Sequence, residues 1–231
     1  MLNNFDLKYK LKPLSDLFLV IGNILKPSIA DTHEEPYSSH IPVLIGISSI
    51  INIKNILELG SGSYSTGLFL NKKAYPNLER LDSYEDDLQW GRKIANDFSK
   101  DQRLHLNIVN YPINQNLVNI NYAQYDLIFI DDSQKSSDRA KTIKEICNNN
   151  LGNSILIIHD FEMDSYRKAA KKIKHYFTFS SYTPCTGVLW QKGLKNIQLF
   201  RVLDLINTYK NEYKTTDIEG WLTVFKNLMN E

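Results

Sequence analysis

The sequence is poor in features that define several large classes of protein. Only two of its 231 residues are cysteines, Cys147 and Cys185, so a disulfide framework or a cysteine-rich zinc site is excluded. Its 27 basic residues balance 26 acidic ones, for a net charge of +1. Proteins that coat nucleic acids or bind membranes through basic patches need a surplus of positive charge. We therefore expect reduced thiols, a cytoplasmic location, and neither a nucleic-acid nor a membrane partner.

Long hydrophobic runs are also absent. The apolar run at 17–21 is far shorter than the about 20 residues that span a bilayer, and no secretory signal is evident. Apolar residues make up 42% and charged residues 23% of the chain, as in ordinary globular proteins. The composition therefore favours a folded domain with a single hydrophobic core.

Short apolar runs alternate with amphipathic segments from residue 55 onwards. The runs predict strands over 55–59, 78–84, 104–109, 125–130, 154–158, 176–182 and 188–191. The amphipathic segments predict helices over 66–70, 87–98, 138–147 and 165–173. Strands that alternate with helices are typical of a parallel sheet covered on both faces. The order therefore predicts one doubly wound α/β domain that closes with a hairpin.

Helical patterns lie on both sides of this domain. Residues 1–52 hold predicted N-terminal helices and a substrate-side loop, 53–193 the sheet domain, and 194–231 a C-terminal helical extension. The loop at 27–39 is too polar to belong to the core, and a second helix is predicted from Pro42 to about Ile51. The extension either caps the pocket or forms a dimer contact, so a homodimer is one expectation.

The loop after the first predicted strand contains closely spaced glycines. Residues 58–66 read Glu-Leu-Gly-Ser-Gly-Ser-Tyr-Ser-Thr. Gly60 and Gly62 allow a tight turn and close approach to a ligand, and Ser65 or Thr66 can cap the following helix. Ser65 stands where a dinucleotide-binding fingerprint has its third glycine, which disfavours a nicotinamide cofactor.

Acidic residues stand at the ends of several predicted strands. Glu58 closes the first apolar run, where a buried carboxylate needs a donor or a cation. Glu85 ends the second strand, where a carboxylate can bind both hydroxyls of a ribose, and Asp86 or Asp87 can cap the next helix. The fourth and fifth strands end at Asp131, Asp132, His159, Asp160 and Glu162. At one edge of a sheet these groups can deprotonate a hydroxyl or bind a hard cation.

Together these segments resemble class I S-adenosylmethionine-dependent methyltransferases. The glycine motif, Tyr-Glu after the second strand and Tyr-Asp-Leu-Ile-Phe-Ile-Asp-Asp in the fourth carry the resemblance, which covers about residues 37–192. It is strongest for the branch whose first motif reads Glu-x-Gly-Ser-Gly. The resemblance implies a mostly parallel, seven-stranded Rossmann-like methyltransferase sheet with an antiparallel C-terminal hairpin and helical additions at both ends.

The resemblance also implies S-adenosylmethionine as the cofactor. The glycine loop would line its amino-acid end, Glu85 would hold the ribose, and Asp86 with the segment at 110–111 would lie near the adenine. The implied cofactor-binding residues are Glu58, Gly60, Ser61, Gly62, Ser65, Thr66, Glu85, Asp86, Asn110 and Asp131.

The acidic strand ends are similar to those of catechol-type small-molecule O-methyltransferases, which hold magnesium between these strands. Asp131 and Asp160 match two acidic ligands of that family, but Phe161 replaces its asparagine ligand. Glu162 or His159 is the alternative third ligand. We nevertheless expect no metal, and a reaction in which Asp131, His159 or Asp160 is the catalytic base.

A polar cluster precedes the sheet, in a segment that commonly carries acceptor-side residues in the methyltransferases that this sequence resembles. The substrate-side candidates are His33, Tyr37, Ser39, His40 and, from the acidic edge, Arg139. Ser39 or His40 can instead only open a helix, and Arg139 either clamps an anionic substrate or pairs with Asp131 or Asp132.

The sequence therefore favours a methyltransferase that acts on an oxygen of a small molecule. The alternatives are a non-catalytic S-adenosylmethionine-binding or sensor protein, and a nucleic-acid methyltransferase, although a flipped-base motif and a basic tract are both absent from the sequence.

Overall fold

Seven strands form one sheet in the computed structural model, which describes residues 39–72, 74–133, 135–180 and 183–192. The strands are β1 (Asn55–Leu59), β2 (Arg80–Glu85), β3 (Leu104–Ile108), β4 (Leu127–Ile130), β5 (Ile155–His159), β6 (His175–Phe179) and β7 (Thr186–Trp190). The helices are α1 (Ile41–Ile50), α2 (Ser65–Phe69), α3 (Leu88–Asp97), α4 (Ser136–Asn148) and α5 (Asp164–Ala169). Two 3-10 turns, Ile113–Asn116 and Tyr122–Gln124, precede β4.

The strand order is β3-β2-β1-β4-β5-β7-β6, and only β7 runs antiparallel to its neighbours. The order reverses between β1 and β4, which are adjacent although β2 and β3 lie between them in sequence. Open α/β sheets bind ligands outside the carboxyl ends of the strands at such a point. The predicted doubly wound, mostly parallel sheet with an antiparallel C-terminal hairpin is confirmed.

Each face of the sheet carries its own apolar core. Ile56 and Phe129 belong to the cluster that packs with α1, while Leu57 and Ile128 belong to the cluster that packs with α4 and α5. Successive strand residues point to opposite faces, so a strand that is buried on both faces is apolar throughout. This explains the continuous apolar runs of β4 and β5, whereas β2 carries several polar residues and the outer strands β3 and β6 are partly exposed.

The two residues before α1 are more buried than the sequence predicts. α1 begins at Ile41, and the preceding Ser39 and His40 are buried, with 1% and 2% exposure. The prediction that the polar loop stays out of the core is therefore wrong at residue 39, because the Ser39 hydroxyl finds a hydrogen-bond partner inside the protein.

The other terminal predictions, the helices within 1–38 and 194–231 and the candidates His33 and Tyr37, lie outside the described residues. Among the helices that the structure describes, none has the length and apolar character to span a membrane.

Candidate active site

The glycine loop turns sharply at the carboxyl end of β1. Gly60 has a φ of +86°, and a Cβ there would lie 2.4 Å from the backbone oxygen of Asp131. Its N–H donates to the carbonyl of Tyr84 at 2.9 Å, and the Gly62 N–H donates to the hydroxyl of Thr66 at 3.1 Å. Only glycine combines this φ with so close an approach. The loop is thus held against the end of β4.

Glu58 supports this loop from beneath. Its fully buried carboxylate accepts hydrogen bonds from Ser65 at 2.7 Å, Thr66 at 2.8 Å and Ser83 at 2.6 Å. Burial raises the pKa of Glu58 to about 7, although the three hydroxyls oppose this. The prediction that Ser65 or Thr66 caps α2 is wrong, because Tyr64 occupies the N-cap and both hydroxyls bind Glu58.

Glu85 lies beside the loop at the end of β2. One carboxylate oxygen accepts from the next two backbone amides at 3.0 and 2.9 Å, and the other accepts from the Ser61 hydroxyl at 3.0 Å. Burial raises the pKa of Glu85, while these donors lower it. Asp87 caps α3 through the amides of Gln89 and Trp90. Capping by one of the acids that follow β2 is thus confirmed.

The residues predicted near an adenine lie on the loops after β2 and β3. The Asp86 carboxylate accepts from the Ile113 amide at 3.2 Å, and burial raises its pKa. Asn110 is exposed, and its carbonyl accepts from the Asn116 side chain at 2.7 Å. The Tyr111 side chain is 47% exposed. The two segments therefore meet through the bond between Asp86 and Ile113.

A hydrogen-bonded chain joins the ends of β4 and β5 to Ser39, two residues before α1. His159 Nδ1 lies 3.1 Å from Asp131 Oδ1, and its Nε2 lies 2.8 Å from the Ser39 hydroxyl. Burial lowers the pKa of His159, but the carboxylates of Asp131 and Asp160 together outweigh it, and the net direction is upward. Burial would raise the pKa of Asp131, yet His159 and Arg139 bring it below its ordinary value. Asp131 is therefore an ionised carboxylate.

Arg139, on α4, bridges the ends of β4 and β5. Its Nη1 lies 3.0 Å from Asp131 Oδ1 and 2.5 Å from Asp160 Oδ2. Its other nitrogens donate to the carbonyls of Asp132 and Ser133. The sequence left two roles open for Arg139: to bind an anionic substrate or to pair with Asp131 or Asp132. The structure shows the pairing with Asp131, and it shows a second ion pair with Asp160. Asp160 has a φ of +58°, a strained backbone conformation typical of functional sites.

Two acidic candidates turn away from this group. Asp132 is buried and accepts from the Thr142 hydroxyl at 2.6 Å, and burial raises its pKa to about 7. The Glu162 carboxylate accepts from the Cys185 amide at 2.7 Å. Of the five candidates at these strand ends, the structure therefore brings together Asp131, His159 and Asp160.

His40 lies directly beside His159, with the ring centroids 4.9 Å apart. The His40 ring also contacts the buried ring of Phe129, with the centroids 4.9 Å apart. Neither ring nitrogen of His40 has a hydrogen-bond partner among the residues that the structure describes. Burial lowers the pKa of His40 to about 3, so the imidazole is neutral. A buried imidazole without partners is suited to hydrogen-bond a ligand.

Two supporting residues escaped the sequence analysis. Ser83 binds Glu58, and the Trp90 indole donates to the Ser61 carbonyl at 2.7 Å. Ser83 stands opposite Glu58 in the β1–β2 register, but its strand also carries Arg80, Asp82 and Glu85, so a polar residue at position 83 is no signal by itself. The sequence alone does not supply that register.

Solved structures of similar fold include several methyltransferases. A precorrin-6y C5,15-methyltransferase from Geobacter metallireducens is 13% identical with a TM-score of 0.50, over 70% of this chain and 93% of that one. The N-methyltransferase NodS from Bradyrhizobium japonicum, in complex with S-adenosyl-L-homocysteine, is 10% identical with a TM-score of 0.48, over 71% and 90%. An O-methyltransferase family protein from Burkholderia thailandensis is 10% identical with a TM-score of 0.48, over 78% and 59%.

Comparison by sequence gives no match, either to a protein-family model or to a curated protein. The strand order and the likeness to the precorrin methyltransferase agree with the motifs quoted above. The described residues therefore have the Rossmann-like fold of class I S-adenosylmethionine-dependent methyltransferases.

Proposed function

We propose that the protein is an S-adenosylmethionine-dependent methyltransferase that acts on an oxygen atom of a small molecule. One observation carries the proposal: the glycine loop, Glu85 and the Asp131–His159 pair converge at one edge of the sheet. Gly60 is packed against the backbone of Asp131, and Ser61 binds Glu85. A cofactor held by the loop therefore lies between a carboxylate suited to ribose and a second polar group suited to the acceptor.

In this proposal, different residues at the carboxyl ends of the strands bind different parts of the cofactor. The loop at 60–62 binds the amino-acid end of the cofactor, and Glu85 binds the ribose hydroxyls. Asp86 and Asn110 lie on the adenine side. Glu58, Ser65 and Thr66 act through the loop, because the Thr66 hydroxyl accepts from the Gly62 amide and Glu58 binds the hydroxyls of Ser65, Thr66 and Ser83.

The acceptor side is proposed to bind a hydroxyl and take its proton. The bound cofactor supplies an electrophilic methyl group, and most of the rate comes from aligning the acceptor oxygen with it. His159 is the proposed base: its Nδ1–H faces Asp131, and its Nε2 receives the proton through the Ser39 hydroxyl. His40 contacts the acceptor, since its ring nitrogens have no partner among the described residues.

Asp160 completes this side of the proposal. Its carboxylate is fixed by Arg139 and its side chain is 30% exposed, so it presents oxygen atoms to a hydroxyl-bearing acceptor. His33 and Tyr37 remain proposed acceptor-side residues. The partner is a small molecule rather than a nucleic acid or a membrane, in keeping with the balanced charge.

Titration calorimetry with S-adenosyl-L-homocysteine tests the cofactor assignment. The wild-type protein should bind, and Glu85→Gln should bind at least about tenfold more weakly, because a charged hydrogen-bond acceptor is lost. Glu79→Gln is a matched control, since Glu79 directly precedes β2 at the opposite edge of the sheet and pairs with Lys54. Failure to bind the ligand at millimolar concentration would refute the proposal.

Methyl transfer is tested separately from binding. The protein is incubated with S-adenosylmethionine and a panel of phenols, sugars and hydroxy acids, and methylated products are detected by mass spectrometry. His159→Ala should lower turnover by about 10²–10⁴-fold and leave cofactor affinity within about threefold. Cofactor binding without product on the whole panel would favour the non-catalytic alternative. A salt-sensitive gel shift with RNA would favour the nucleic-acid alternative.

A further inference from the structure

Arg139 occupies the place between two carboxylates that match metal ligands of catechol-type O-methyltransferases. One guanidinium nitrogen, Nη1, contacts both Asp131 Oδ1 and Asp160 Oδ2, at 3.0 and 2.5 Å. Its remaining donors bind two backbone carbonyls, and the guanidinium stacks 5.6 Å from the Tyr166 ring. The residue is only 7% exposed. Each nitrogen of the guanidinium therefore has a partner among the described residues.

The other positions of a magnesium site are filled by groups that do not fit one. Phe161 stands where the family has an asparagine ligand, and it is 2% exposed, so close to Gly187 that a Cβ there would lie 2.4 Å from its ring. Glu162 accepts from the Cys185 amide, and both nitrogens of His159 are hydrogen-bonded. Magnesium in proteins is usually held by one or two carboxylates and several waters, and the two carboxylates here, Asp131 and Asp160, are already paired with Arg139. The family metal therefore does not fit these residues.

We propose that Arg139 is the resident cation of this edge and replaces a divalent metal there. Its single positive charge lies between two carboxylates, and its charge is fixed because arginine stays protonated in proteins. The guanidinium is buried beneath them, whereas the Asp131 and Asp160 side chains are 27% and 30% exposed. The surface turned to a ligand thus consists of carboxylate oxygens, which accept hydrogen bonds.

This arrangement narrows the class of acceptor, a step that rests on the proposed function. A metal site binds an acceptor by chelating adjacent oxygens, which favours their deprotonated form. Buried Arg139 offers no open coordination position, so the acceptor is held as a hydrogen-bond donor to Asp131 and Asp160. Neutral hydroxyl groups fit this edge, and chelating catecholates do not.

One group of residues in the described chain has the types that bind transition metals. Ligand atoms of His40, Asp131 and His159 lie within 4.8 Å of one another. Two atoms bound to zinc at about 2.0–2.1 Å lie at most about 4.2 Å apart, so the group would have to contract. Its Asp131 Oδ1 already contacts His159 Nδ1 and the Arg139 guanidinium. A second cation there would meet the charge of Arg139 at close range.

Cation binding to the protein alone tests the inference, without methyl donor or acceptor. Free Mn²⁺ is followed by electron paramagnetic resonance during titration of EDTA-treated protein, and Zn²⁺ by equilibrium dialysis. The wild-type protein should bind neither stoichiometrically below 1 mM. Arg139→Ala should bind Mn²⁺ at least about tenfold more tightly, and the double variant Arg139→Ala/Asp160→Asn should lose that gain. Arg103→Ala is the control, since Arg103 pairs with Asp101 alone among acidic residues in the described chain.

Three results of these titrations would overturn the inference that Arg139 replaces a metal. Submillimolar Mn²⁺ binding by the wild-type protein that Asp160→Asn abolishes would overturn the inference. Stoichiometric Zn²⁺ binding that His40→Ala abolishes would overturn it as well, and so would a folded Arg139→Ala variant without gain in Mn²⁺ affinity. If Arg139→Ala does not fold, the wild-type titration alone decides. A protein that fails to bind S-adenosyl-L-homocysteine but behaves as expected here would refute the proposed function and leave the role of Arg139 intact.

Discussion

Replacing Glu58 by glutamine should make the stability of the protein less dependent on pH. The carboxylate is completely buried, and its hydrogen-bond partners among the residues that the structure describes are three hydroxyl groups and no cation. Burial raises its pKa from 4.5 to about 7. In Glu58→Gln, the amide oxygen can accept from two of the hydroxyls and the amide nitrogen can donate to the third. The substitution therefore keeps the shape and the hydrogen bonds and removes the ionisable group.

The sign and size of the effect follow from proton linkage. Between the unfolded and folded pKa values the folded protein binds more protons, so its free energy of unfolding falls as the pH rises. A pKa difference of this size corresponds to roughly 3 kcal/mol, of which roughly 2–3 kcal/mol is lost between pH 5 and pH 8. Burial also raises the pKa of Asp132 to about 7, with the same sign. That contribution is present in both proteins and cancels in their difference.

Urea unfolding followed by circular dichroism at several pH values between 5 and 8 measures this difference. Glu58→Gln should be about as stable as the wild-type protein near pH 5 and roughly 2–3 kcal/mol more stable near pH 8. Glu79→Gln, at a side chain that is 62% exposed, should stay within about 0.5 kcal/mol of the wild type at pH 7. Parallel pH profiles for Glu58→Gln and the wild type would refute the reasoning, because Glu58 would then titrate alike in both states.

Three further substitutions test the geometry of the site. Gly60→Ala should cost at least about 2–4 kcal/mol in urea unfolding and abolish calorimetric binding of S-adenosyl-L-homocysteine, because of its positive φ and the Asp131 backbone 2.4 Å from the added Cβ. A near-wild-type Gly60→Ala would contradict this. Asp87→Ala should cost about 1 kcal/mol through loss of the α3 cap, and no measurable loss would disprove the cap's importance. Gly187→Ala should cost about 1–3 kcal/mol by crowding Phe161, measured in the same way, and unchanged stability would show that the ring can move.

The order of the secondary structure could be predicted because its signals are local. The run at 55–59 coincides with β1, and the run at 104–109 differs from β3 by one residue. Burial on both faces explains the apolar character of β1, whereas β3 lies at the sheet edge and its apolar residues alternate with His105 and Asn107. The helix predicted at 165–173 is less accurate: α5 ends at Ala169, and a 3.6-residue period does not mark where a helix ends.

The contacts of the site could be predicted only in part, because they depend on the register between strands. The sequence indicated that Glu58 needs a donor but not that Ser83, 25 residues away in the chain, stands opposite it. It placed both Asp131 and Asp132 at the end of the fourth strand, and only the family resemblance singled out Asp131. Adjacent residues at a strand end point in different directions, so Asp131 meets His159 while Asp132 meets Thr142. Which acid faces the site is therefore decided by the strand's orientation in the sheet.

The same contacts decide which acids carry charge. Glu58 and Asp132 are buried against hydroxyl groups, and burial raises the pKa of each to about 7, so a large fraction of each is protonated near neutral pH. Burial acts on Asp131 in the same direction, but His159 and Arg139 reverse it and its pKa falls. A cationic partner thus keeps this one carboxylate ionised beside the glycine loop. Since Gly60 packs against the backbone of Asp131, this negative charge lies beside the loop that is proposed above to bind the cationic cofactor. A count of the acidic residues in the sequence therefore overestimates the negative charge at this edge of the sheet. Pairing with Arg139 keeps the charge on Asp131.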